Sequence, residues 1–220
     1  MKSKKTLIAL AVCVPFLLAC TDQAINAYEP VDGSAAAEDD AMNTTHTVTA
    51  EIGPDSPYAE GAPRPAREPD VIYVPTPEPV VDAMLNLAGV KAGDVLYDLG
   101  SGDGRIPIAA AQRFGVRGVG IDINPVRVRE ANANAETAGV TDLVTFKEAD
   151  LFEEDISEAS VVTLYLLQSL NVKLRPKLLA ELKPGTRIVS HAFDMADQWE
   201  PEQTQQVDGT RIYLWTVPER

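Results

Sequence analysis

Residues 98–104 read Asp98-Leu99-Gly100-Ser101-Gly102-Asp103-Gly104. Glycine permits positive φ and a close backbone approach to a ligand, because no Cβ stands in the way. The apolar run Val95-Leu96-Tyr97 precedes this loop, and a helix-like segment opens near Arg105. Strand, glycine loop and helix start together aim free backbone N–H groups at a nucleotide-type ligand. The same layout also serves as a tight strand-to-helix turn with no ligand. A dinucleotide fingerprint reads G-x-G-x-x-G and seats a pyrophosphate. Here the glycines Gly100, Gly102 and Gly104 fall as G-x-G-x-G, and Asp98 opens the loop. A carboxylate in that place suits a cationic group rather than a phosphate.

Further polar residues fall where strands are expected to end. Val116 to Ile121 reads as a second strand closed by Asp122. A carboxylate there either accepts hydrogen bonds from both ribose hydroxyls or caps the following turn. Ser160 to Leu167 is nearly all apolar, as a parallel strand covered on both faces would be. Tyr165 and Gln168 lie at its carboxyl end, where open α/β sheets bind ligands. Thr186 to Phe193 is a fifth strand that brings His191 to the same edge, either as a hydrogen-bonded structural residue or as a catalytic one.

The intervening segments are helical in pattern. Thr76 suits an N-cap and Pro77 a first helical position, ahead of Val80, Val81, Met84, Leu85 and Leu87 on one face. Arg105 to Phe114 tolerates Pro107 in its first turn. Asn124-Pro125 starts a helix that stops before Gly139, with Val128, Ala131, Ala135 and Ala138 as a narrow face of small residues. Leu143 to Phe146 is strand three. Leu170, Leu174 and Leu178 mark another helix, which Pro176 is expected to interrupt. Asp208-Gly209 signals a hairpin, followed by an alternating strand over Arg211 to Val217. These elements compose a doubly wound α/β fold with a mostly parallel sheet and a C-terminal antiparallel hairpin.

The first 70 residues differ in character. Lys2, Lys4 and Lys5 precede the apolar run Thr6 to Leu18, which is shorter than the ~20 residues a bilayer span needs and reads as a secretory signal over residues 1–19. Leu17-Leu18-Ala19-Cys20 resembles a bacterial lipobox, which implies lipidation of Cys20 and a membrane-anchored lipoprotein facing the periplasm. An uncleaved anchor or a misplaced start are the other readings. Residues 20–70 form an acidic, proline-rich tether. Positions 21–70 hold 11 acidic and 2 basic residues, and few large apolar ones with which to offset chain entropy. The remaining domain, residues 71–220, carries a net charge of −8. Nucleic-acid affinity comes largely from phosphate neutralisation by Lys and Arg, so the charge disfavours a nucleic-acid partner; it either suits a basic one or serves only solubility. The two cysteines, Cys13 and Cys20, both lie in the leader, and His46 and His191 are the only histidines. That leaves no cysteine or histidine cluster for a metal.

The glycine loop resembles motif I of the class I S-adenosylmethionine-dependent methyltransferases, and the order of elements over residues 71–217 is similar to their seven-strand fold. Tyr73-Val74-Pro75-Thr76-Pro77, the run Tyr97 to Ile106, Asp150-Leu151-Phe152 and Val161 to Leu167 together resemble one group. It contains the mitochondrial ATP synthase c-subunit lysine methyltransferase and its bacterial relatives. The resemblance implies S-adenosyl-L-methionine as cofactor. Asp98, Gly100, Gly102 and Gly104 would surround it, Asp122 would hold its ribose, Asp150 would face the adenine amino group, and Leu151 would cover the ring. Tyr73 and Thr76 lie in the segment that closes over the cofactor in such enzymes, although packing and capping would also account for them. Methyl transfer to a lysine amine of a membrane-near protein follows as the implied activity, with Tyr165 and His191 as catalytic candidates. Gln168 stands where the family pattern leads one to expect proline, and no Asn-Pro-Pro-Tyr motif follows strand four, which speaks against methylation of base amino groups. A cofactor-binding lipoprotein without catalysis and a dinucleotide-dependent oxidoreductase are the alternatives. Asp98 speaks against the second. A periplasmic location stands in tension with a cofactor made inside the cell.

Overall fold

The computed structural model describes residues 67–220. Cys20, the signal segment and most of the tether lie outside the described residues. The elements run α1 (Glu78–Leu87), β1 (Val95–Leu99), α2 (Arg105–Phe114), β2 (Arg117–Asp122), α3 (Pro125–Ala138), β3 (Val144–Glu148), β4 (Val161–Leu164), α4 (Gln168–Glu181), β5 (Arg187–His191), a short 3-10 turn (Ala196–Gln198), β6 (Gln203–Val207) and β7 (Thr210–Thr216). They build one seven-stranded sheet in the order β3-β2-β1-β4-β5-β7-β6. The strands β3 to β5 are parallel, while β7 runs antiparallel to both of its neighbours. The expected class holds: a seven-strand, Rossmann-like α/β sheet ending in an antiparallel hairpin.

Side-chain alternation along the strands feeds two cores. Leu96, Val161 and Val189 point to the face covered by α1 and α2, beside Val80, Met84 and Ile106. Tyr97, Leu99, Val162, Leu164 and Ile188 point to the other face, beside Leu174 and Leu178 of α4. In α3, Ala131 and Ala135 bury their small side chains beside Phe146 of β3. Asn124 caps this helix through its side chain, which accepts from the Val126 N–H, and Gly139 ends it in the left-handed conformation.

Three local expectations fail for identifiable reasons. The helix α4 runs through Pro176 without interruption. Proline inside a helix costs ~3 kcal/mol or more. Here it sits on the exposed face, where the freed carbonyl can reach water, while Leu174 and Leu178 are fully buried on the other side. Thr76 does not cap α1; Pro77 takes the cap position, and the Thr76 hydroxyl turns inward to His191. The strand β4 stops at Leu164 instead of Leu167. Its neighbour β1 ends opposite, at Leu99, and then turns into the glycine loop, so later residues find no ladder partner on that side.

Sheet order reverses between β1 and β4, since successive strands after β1 add first on one side and then on the other. Such a switch point leaves a crevice at the carboxyl ends of the strands, and Asp98 and Tyr165 both fall there.

Candidate functional site

A cavity of about 560 Å³ opens at that switch point, within the usual size of a small-molecule site. Asp98, Gly100, Asp122, Asp150, Leu151 and Tyr165 all line it. Tyr73 and Thr76 line it as well, from the segment that crosses it ahead of α1. The fold therefore gathers most of the residues singled out in the sequence. Gly102, Gly104 and His191 are not among the lining residues.

The glycines do different work from one another. A Cβ on Gly102 would lie 2.4 Å from Cε2 of Tyr73, so Gly102 makes room for that ring. A Cβ on Gly104 would lie 2.5 Å from Cζ of Phe146 and 2.8 Å from the Ala131 Cβ, so Gly104 lets the start of α2 pack against α3 and β3. The loop is also tied to β2, because the Gly100 and Ser101 N–H groups both donate to the Ile121 carbonyl.

Of the six carboxylates that line the cavity, four come from the strand ends and the loops that follow them. Asp98 is 3% exposed and accepts a 2.7 Å hydrogen bond from the Thr163 hydroxyl. Burial, aided by the Asp122 and Asp103 charges, pushes its carboxyl up to about 7 against the Thr163 bond. Asp122 accepts from the Gly102 N–H on one oxygen and the Asn124 N–H on the other, both at 2.8 Å. Burial raises its pKa despite those two bonds. The turn-capping reading of Asp122 is thus correct, yet a carboxylate has about four lone-pair sites, which leaves room for two hydroxyl donors. Asp150 accepts from the Phe152 N–H at 2.9 Å and from Arg67 Nε at 3.0 Å. Burial opposes its ionisation, but these bonds hold it below the usual carboxylate range. Asp103 is engaged by Arg105, whose Nη2 donates to it at 2.7 Å.

Several contributors carried no clear signal in the sequence. Ser101 is buried, lines the cavity and leaves its Oγ without a partner. Tyr73 lies under the Arg127 guanidinium, 4.4 Å from the ring centroid. Arg105 donates from Nη1 to the Thr76 carbonyl at 2.9 Å and so fastens the crossing segment to α2. Arg67 fastens it to Asp150. A resemblance covering Tyr73 to Pro77 hinted at this segment, but no motif named its partners.

His191 is 4% exposed, and burial pushes its imidazole down to about 4. The imidazole is therefore held neutral, and it stands outside the cavity lining. Tyr165 is half-buried at the cavity wall.

The donor set fits a cationic amino-acid ligand attached to a nucleoside. Among the described residues Asp98 is a buried carboxylate with a single hydroxyl partner and no cation beside it, and Ser101, three residues on, has a hydroxyl without a partner among them. The next strand end carries Asp122, with acceptor capacity to spare.

Strand order, glycine loop and this acidic crevice define a class I S-adenosylmethionine-dependent methyltransferase. Comparison with known proteins agrees. The ANTKMT methyltransferase domain matches residues 98–203. A protein-lysine N-methyltransferase from Saccharolobus islandicus is 51% identical over 156 residues, which is 69% of this chain and 96% of that protein. The lysine N-methyltransferase of the ATP synthase c-subunit from mouse is 33% identical over 132 residues, 60% of this chain and 52% of the mouse protein. A solved structure described as an RNA methyltransferase from Salinibacter ruber, in complex with S-adenosyl-L-homocysteine, shares 61% identity at a TM-score of 0.65. That likeness covers 67% of this chain and 95% of the other. The chain belongs to the ANTKMT-type methyltransferase family, and its cofactor is S-adenosyl-L-methionine.

Proposed function

We propose that this enzyme methylates a lysine amine on a protein. The observation that carries the reading is the charge at the cavity. Its three arginines, Arg67, Arg105 and Arg127, are each paired with carboxylates, namely Asp70 and Asp150, Asp103, and Glu130. They are thus engaged within the protein instead of being presented to a phosphate backbone, which is what RNA affinity would need. The net charge of −8 over residues 71–220 points the same way, and the Saccharolobus and mouse relatives are named for lysine. Exposed apolar residues nearby, Ile72, Val74 and Leu167, suit a protein surface.

When bound, S-adenosylmethionine supplies an electrophilic methyl on a cationic sulfur. Within this chain, Asp98 is assigned to the ammonium, Asp122 to the ribose hydroxyls, and Asp150 with Leu151 to the adenine. These anchors follow the sheet from β1 to β2 to the loop after β3. The acceptor is left the β4 side, where Tyr165 stands. A lysine must arrive neutral, and an aromatic wall contributes by alignment.

Methyl-labelled cofactor incubated with a membrane-protein fraction should label protein, and hydrolysis should release methyl-lysine. The Salinibacter relative makes RNA the competing acceptor. Label recovered in RNA alone would overturn the lysine reading. A location at the membrane, through a lipid on Cys20, is part of the same proposal and rests on the leader sequence.

A further inference from the structure

Three side chains from separate parts of the chain meet behind the β4 side of the cavity. Tyr165 follows the end of β4 and lines the cavity. His191 ends β5, the adjacent strand, in which Ser190 pairs with Leu164. The two ring centroids are 3.8 Å apart, with planes inclined by 36°. The Nδ1 of His191 lies 3.2 Å from the hydroxyl of Thr76, which is buried and belongs to the segment crossing the cavity. Thr76 in turn has its carbonyl held by Arg105.

His191 occupies a place where an apolar side chain would avoid desolvation. Burial keeps the imidazole neutral, and no neighbouring charge contributes to that shift. It does not line the cavity, so it does not reach a reacting atom. What it retains is a flat ring laid against Tyr165 and one hydrogen-bonding atom directed at Thr76. Each contact fixes one part of the cavity wall, and both run through the same imidazole.

We propose that His191 is a positioning residue for the acceptor amine: its ring braces Tyr165 as the wall against which the amine lies, and its Nδ1 holds Thr76, so that this wall and the crossing segment keep one relative placement. The proposal rests on the lysine reading above. It also explains how β5 contributes to a site whose other anchors come from β1 to β4. The ring contact matters for the acceptor, because an aromatic wall aligns the neutral amine only when that wall is held in place.

Two substitutions separate the two contacts. His191→Phe keeps a ring against Tyr165 and removes Nδ1; His191→Gln keeps a polar group for Thr76 and removes the ring. The probe is Nα-acetyl-lysine methylamide, titrated by NMR against the Tyr165 ring signals of protein saturated with S-adenosylhomocysteine. The norleucine analogue serves as control, and S-adenosylhomocysteine affinity is measured separately by calorimetry. In the wild type the lysine probe should move the Tyr165 signals and the norleucine analogue should not. His191→Gln should weaken the lysine probe at least fivefold, and His191→Phe, which loses the hold on Thr76, should weaken it by a smaller two- to fivefold, with S-adenosylhomocysteine affinity within twofold in both. Equal losses of probe and S-adenosylhomocysteine would reduce His191 to a structural residue and overturn the proposal, as would an unchanged His191→Gln. Should His191→Gln not fold, Tyr165→Leu decides in its place, titrated through the signals of the probe itself: a fivefold weaker probe supports the braced wall, and an unchanged one refutes it. Absence of probe binding in the wild type, with methyl entering RNA, would instead bring down the lysine reading and this proposal together.

Discussion

Asp98→Asn isolates the group on which the cofactor reading depends most. Asparagine is nearly isosteric and can still accept the Thr163 hydroxyl, which lies 2.7 Å from Oδ1. What it removes is the charge. Charge-assisted hydrogen bonds contribute ~1.5–3 kcal/mol, so S-adenosylhomocysteine should bind roughly 10- to 150-fold more weakly at pH 8. The wild type should also show a pH dependence that the variant lacks. With the carboxyl pushed up to about 7 in the free protein, only the ionised fraction is ready for an ammonium. Apparent affinity scales with that fraction and should fall about tenfold between pH 8 and pH 6. His191, pushed down to about 4, does not titrate in this window. Stability moves in the opposite sense. A carboxyl whose folded pKa lies above its unfolded value of 3.8 favours the folded state below that value, and the advantage disappears as pH rises through about 7. Ligand-free Asp98→Asn should therefore melt higher than wild type at pH 8 and lose that margin near pH 4. Calorimetry across pH 6–8 and melting curves with and without ligand read both effects. Unchanged affinity in a folded variant, or a pH slope that persists in it, would refute the role given to Asp98.

Asp122→Ala removes the acceptor for the Gly102 and Asn124 N–H groups as well as the proposed ribose contact, so S-adenosylhomocysteine affinity should drop tenfold or more by calorimetry. Gly102→Ala places a Cβ 2.4 Å from the Tyr73 ring at a φ of +52°; a loss of about 1–3 kcal/mol in stability and a displaced Tyr73 should appear in denaturant melts and in Tyr73 NMR signals. Intact mass of protein extracted from membranes should show a chain beginning at Cys20 with added acyl groups, and a chain beginning at Met1 would remove the lipidation proposal.

The order and type of the elements were legible because their signals are local. The loop Gly100 to Gly104, the Asn124-Pro125 start of α3, the Gly139 stop and the Asp208-Gly209 turn each carry their own chemistry. They fall where the backbone uses them. Strand ends were less legible, because a ladder needs two sides. Residues 165–167 are as apolar as β4 itself, but β1 offers no partner beyond Leu99. Pro176 misled for a related reason. A local penalty was outweighed by burial of Leu174 and Leu178, which depends on a sheet face assembled from distant strands.

The candidate site divides along the same line. Asp98 and Asp122 lie at the ends of β1 and β2, and Asp150 just past β3, a spacing that a linear reading can find. Their states cannot be found that way. The raised carboxyl of Asp98 comes from closure of the fold around it, and the low one of Asp150 depends on Arg67, 83 residues earlier. The role of Thr76 changed outright, from helix cap to partner of His191, 115 residues away. Gly102, expected beside the cofactor, also makes room for the Tyr73 ring. Three of these differences, at Asp150, Thr76 and Gly102, converge on the segment between Arg67 and Thr76. Its sequence has little secondary structure to announce, and its position is set by contacts with α2, α3, β5 and the loop after β3. A segment held by four remote partners can be displaced by weakening any one of them. The segment that crosses the cavity is accordingly exposed to substitutions at positions remote from it in the chain.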